Sequence, residues 1–91
     1  MTRMEKLVRL DEILGSLGEV QCEEIELAHQ VESMNERITQ LNKQRNGGDA
    51  LIKVVDKRRH TRERLTEVRI ERQELETEKE RLKAELEYGY D

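Results

Sequence analysis

The stretch LNKQRNGGDALIKVV, residues 41–55, decides the fold of this chain. Two adjacent glycines, Gly47 and Gly48, interrupt a run of helix formers. In a helix interior each glycine costs about 1 kcal/mol against alanine. Asn46 and Gly47 suit a left-handed helix end, and Asp49 suits the N-cap of a following helix. The pattern predicts helix one over about 3–46, a turn at 46–49 and helix two over about 50–88. So short a connection favours antiparallel neighbours. The competing reading is a single unbroken rod with two weak points.

Working outward from the glycines, each side carries its own seven-residue series. Before the turn, Ile13, Val20, Leu27, Met34 and Leu41 recur as position d, and Leu10, Leu17, Val31 and Ile38 as position a. Glu24 is the one polar break. After the turn, Leu51, Arg58, Leu65, Arg72, Lys79 and Leu86 take a, while Val54, Thr61, Val68, Leu75 and Leu82 take d. Two such stripes joined by a short turn read as an antiparallel helical hairpin, an all-α coiled coil. A register placing Leu41 by Leu51, Ile38 by Val54, Leu27 by Leu65 and Leu17 by Leu75 uses the best apolar positions. Cationic a residues thin the second stripe, although their stems still cover apolar surface.

The first stripe is wider than a two-stranded seam needs, because Leu7, Leu14 and Ala28 fall at e. Surplus apolar width implies a further partner surface, most simply a second copy. A homodimer of hairpins forming a four-helix bundle is the expected assembly. Leu10, Ile13, Leu17, Val20, Leu27, Val31, Met34, Ile38, Leu41, Leu51, Val54, Leu65, Val68, Leu75 and Leu82 are the candidate residues of the oligomer or partner seam. Gly15 and Gly18, with the Ser16-x-x-Glu19 capping pattern, raise a kink at 15–18. The heptad phase runs through that segment and both glycines point outward, which favours a continuous helix. Thr2 and Glu5 offer the same box at the chain start.

Composition sets the outer limits. Ala, Glu, Lys, Leu and Arg make up just over half of the 91 residues, and proline is absent, as in long-helix proteins. With 34% apolar residues and 2% aromatics no thick core can form, only a thin seam. The charged fraction is 42% but the net charge is only −4, so the acids and bases largely cancel and disorder of the assembled form is not expected. Cys22 has no internal partner, and no apolar run approaches the ~20 residues of a membrane span. A soluble, cytoplasmic protein with no membrane partner is expected.

Chemistry-bearing motifs are few. Phosphate-cradling glycine loops, His-Glu-x-x-His, Cys-x-x-Cys and Gly-x-Ser-x-Gly are all missing from the sequence, so no enzyme, no cofactor and no metal is expected. Glu26 and His29 match the Glu-x-x-His of di-iron bundles, and Cys22, Glu26 and His29 follow at i, i+4 and i+7. The heptad phase turns all of them outward, as ordinary solvated side chains. The sharpest feature is KVVDKRRHTRER, residues 53–64, where six cations face Asp56 and Glu63. The segment 71–91 has the opposite excess. Lys57, Arg58, Arg59, Arg62 and Arg64 are therefore candidate contacts for an anion or an acidic partner. In architecture alone, a basic hairpin of this kind resembles the RNA-binding arm of seryl-tRNA synthetases. The expected function is a protein–protein interaction module: an adaptor, regulator or chaperone-like protein. Nucleic-acid binding through 53–64 is the alternative.

Overall fold

Thr2 opens the first helix. Its hydroxyl accepts the Glu5 amide N–H at 3.2 Å and donates to Glu5 Oε1 at 3.1 Å, satisfying an amide that the helix start would otherwise leave unpaired. From this cap, α1 runs without a break from Arg3 to Asn42 in the computed structural model, which describes residues 1–44 and 46–89. Gly15 and Gly18 lie inside it, so Ser16 and Glu19 cap nothing and the weighed kink at 15–18 does not interrupt the helix.

The reversal falls where the glycines predict it, but its boundaries and its cause differ. α1 ends at Asn42, not near 46, because the chain tightens into three-residue turns: the Lys43 N–H bonds to the Gln40 carbonyl and the Gln44 N–H to the Leu41 carbonyl. The second helix, α2, runs from Gly48 to Glu87. Gly47 is its N-cap residue, and Asp49 sits within the first turn instead of capping it. There its carboxylate still favours the positive end of the helix. The left-handed end expected at Asn46 and Gly47 is not present. Gly47 has φ −88°, and among the described residues only Gly89 enters the left-handed region, at φ 74°. Glycine is required at 47 for space, since a Cβ there would lie 2.7 Å from the Leu41 carbonyl oxygen.

The two 40-residue helices pack along their length as a hairpin of 66 × 15 × 14 Å. Ile13, Leu17 and Leu82 form the buried cluster, with Leu10 and Leu75 packed against it. That cluster matches the register that sets Leu17 beside Leu75. Arg9 bonds Glu78 and Arg64 bonds Glu23; the two bridges are two heptads apart on both helices and so report one register. Ile13, Val68 and Leu82 are fully enclosed. Complete burial of such side chains is worth roughly 1.5–3 kcal/mol each.

Candidate functional site

Closing the seam divides the hairpin surface into two flanks of different chemistry. On one flank the g positions of the helices meet. Arg9 lies 2.9 Å from Glu78 and Arg64 2.9 Å from Glu23, with Arg64 also reaching Glu67 and Glu71. The groove there has Val20 and Leu75 at its floor and Ser16, Glu19, Glu71 and Glu74 along its walls. The Arg9 guanidinium holds the Glu78 carboxyl below its ordinary value of 4.5. Glu78 and Glu12 in turn raise Arg9, Glu23 and Glu67 raise Arg64, and the charge of Glu24 raises Arg72. Interhelical ion pairs bridge this flank at Arg9–Glu78 and Arg64–Glu23.

The other flank carries the e and b positions and is far less engaged. Met4, Leu7, Leu14 and Ile25 stay exposed along it on α1, with Val8 at its border, as do Ile52 and Val55 on α2. Its interhelical groove is floored by Ala28, Val31 and Leu65 and walled by Arg62, Thr66 and Arg69. Gly18 leaves open space on this side. Leu7 and Leu14 are 44% and 50% exposed, so the extra apolar width read in the first stripe is not consumed by the hairpin.

The candidate seam residues themselves line the contact between α1 and α2. Ile13, Leu17, Met34, Leu41, Leu65, Val68 and Leu82 are buried, whereas Leu10, Val20, Leu27, Val31, Ile38, Leu51, Val54 and Leu75 are partly covered. The polar seam positions are satisfied one by one. Glu24 receives Arg72 at 3.0 Å and Arg69 at 3.5 Å, and Arg58 donates to Asn35 Oδ1 at 2.8 Å. No buried side-chain nitrogen or oxygen among the described residues lacks a partner. Lys6 is a seam residue that the heptad reading missed. It occupies d one repeat before Ile13, is 3% exposed, and sets its Nζ 3.8 Å from Glu85. Carrying the series one step upstream finds it, if a lysine stem is allowed to act as apolar surface.

The basic segment is not one surface. Arg58 turns to Asn35, Arg59 pairs with Asp56, and Arg64 spans three acids. Among the described residues Lys57 and Arg62 form no ion pair, and they lie on opposite flanks, at g and e. Toward the end of α2, where Glu76–Lys79, Glu78–Arg81 and Glu80–Lys83 stand three apart, Glu78–Arg81 pairs at 3.9 Å, while Glu76 turns to Arg72 and Lys79 to Glu80. Cys22, Glu26 and His29 are exposed, and no group of three or more His, Cys, Asp or Glu among the described residues is placed to hold a metal ion. Among the described residues no helix is long and apolar enough to cross a membrane. Compared with protein-family models, curated proteins and solved structures, the chain matches none.

Proposed function

We propose that this chain is a non-enzymatic coiled-coil interaction module, an adaptor, regulator or chaperone-like protein that works by self-association and helix packing. The observation that carries the reading is the unspent apolar surface on the e/b flank. Leu7, Leu14 and Ile25 remain exposed after the hairpin has closed, and further helices are what such a stripe is shaped to receive. A homodimer giving a four-helix bundle is the simplest assembly that covers it.

The experiment is a measurement of mass in solution with a double variant. The native protein is expected above the 10.8 kDa of one chain. Leu7→Glu/Leu14→Glu should bring it down to one chain while helicity by circular dichroism is retained. Leu27→Asp is a poorer test, because Leu27 is part of the internal seam and its loss would open the hairpin itself. A native protein that stays at one chain over the full concentration range overturns self-association.

The alternative, a nucleic-acid-binding hairpin, has less support. Three of its five candidate cations, Arg58, Arg59 and Arg64, already have partners, and the remaining Lys57 and Arg62 do not share a face. Binding of this kind would weaken steeply with salt. Absence of measurable affinity for RNA or DNA at low salt removes it.

A further inference from the structure

Charge is distributed unevenly along the open flank. Toward the turn it presents Arg59 and Arg62 against Glu32; toward the chain ends it presents Asp11, Glu76, Glu80 and Glu87 against Lys83, so the turn half is net basic and the other half net acidic. The spacing is symmetric. On α2, Arg59 and Glu80 are nearly equidistant from Arg69, and so are Arg62 and Glu76. On α1, Gly18 and Ala28 are equidistant from Glu23. Glu24 reaches Arg69 across the seam at 3.5 Å, so the two centres stand at one level of the rod.

We infer that a second copy docks antiparallel on this flank, α1 upon α1 and α2 upon α2, about a two-fold axis lying level with Glu23 and Arg69. The inference rests on the self-association reading and adds to it a face, an orientation and a register. Under that axis Arg59, which keeps its pair with Asp56, meets Glu80 of the second copy, and Arg62 meets Glu76, which is also bridged to Arg72, each twice by symmetry. Arg62, which has no ion pair among the described residues, gains one. Arg69, close to the axis, keeps its own Glu24 as counter-ion. Gly18, with open space where a Cβ would stand, receives the methyl of Ala28 and lets the α1 helices approach. Ile25 falls beside Gln21, Leu7 lies over Thr39, and Leu14 over the stem of Glu32.

Area and orientation agree with this arrangement. The flank measures 66 by about 15 Å between Cα atoms, a footprint on the order of 1,000 Å² per copy, against roughly 800 Å² per partner in an interface of standard size. A parallel dimer would instead pair Glu32 with Arg59 of the second copy but set Asp11 against Glu80 and lay the acidic halves of both copies together, and like charges across an interface are unfavourable.

A charge exchange tests the inference. Arg59→Glu/Arg62→Glu and Glu76→Arg/Glu80→Arg should each weaken dimerisation on the order of tenfold or more, and their equimolar mixture should recover it, because every inverted charge then faces its opposite. Separately, Gly48→Cys in a Cys22→Ser background carries a dye at the turn. Turn-to-turn energy transfer between copies should be low, because the turns sit at opposite ends of the rod. A native dimer with high turn-to-turn transfer, or one whose charge variants are not rescued by mixing, overturns the orientation and leaves self-association standing. A native monomer overturns both.

Discussion

Gly47 and Gly48 are adjacent and chemically alike, yet different constraints act on them. At Gly47 a Cβ would stand 2.7 Å from the backbone oxygen of Leu41, which cannot move without disturbing the end of α1. At Gly48 nothing lies within 4 Å, and the residue already belongs to α2. Gly47→Ala should therefore destabilise the hairpin by about 1–2 kcal/mol, a value typical of local overpacking. Gly48→Ala should stabilise it by about 0.4–1 kcal/mol, by restricting the unfolded chain. Urea denaturation of the two variants reads the difference directly. Equal effects of one sign would show that the turn is looser than its geometry. The sequence marks both glycines as the turn but cannot separate them, because the distinction depends on how close the end of α1 comes to the start of α2. The same blindness explains the misplaced left-handed end at Asn46: a short reversal can also begin with three-residue hydrogen bonds and reach Gly47 at negative φ.

At the level of the helices, the seam was legible because its period is regular, whereas its polar positions were legible only as interruptions. Arg58, Arg72 and Lys79 read in sequence as weaknesses of α2. In the structure two of them have specific partners on α1, Asn35 for Arg58 and Glu24 for Arg72. Glu24, the polar break in the α1 series from Leu10 to Leu41, faces the cationic part of α2, so the two irregularities select each other and the register. Glu24→Leu alone should lower the melting temperature, since it strips Arg72 and Arg69 of a shared carboxylate. Glu24→Leu/Arg72→Leu should raise it above the parent while allowing slipped pairings, because exchange of an ion pair for packed leucines commonly gains stability. A double variant less stable than either single change would contradict this account. The bridged flank adds a pH dependence of definite sign. Arg9 lowers the Glu78 carboxyl from 4.5, so this bridge stabilises the fold fully above the ordinary carboxylate range and is lost as pH falls through the lowered value. Denaturant midpoints followed downward from about pH 6 should fall less steeply in Glu78→Gln than in the parent. Parallel curves would show that the bridge contributes nothing in solution, as many exposed pairs do.

For the molecule as a whole, length separates the alternatives that composition leaves open. A single unbroken helix of this chain would extend about 130 Å at 1.5 Å per residue, with a radius of gyration near 37 Å, whereas the hairpin has 20.0 Å over Cα atoms. Two hairpins overlapping along the open flank, with axes about 10 Å apart, raise that figure only to about 21 Å. Two joined end to end would again approach 130 Å in length. Small-angle X-ray scattering should thus report a maximum dimension little changed from that of one hairpin, together with a forward intensity of two chains. The charge layout favours the overlapped form: on the open flank the turn half of α2 carries Arg59 and Arg62 and the other half Glu76 and Glu80, so side-by-side antiparallel packing sets the two against each other. Raising salt screens these pairs over about 10 Å at 0.1 M and less beyond. The fraction of two-chain particles should consequently fall as salt rises while the dimension of each particle stays constant. A dimension that doubles with mass would place the second copy at an end of the rod and remove the e/b flank as its seat.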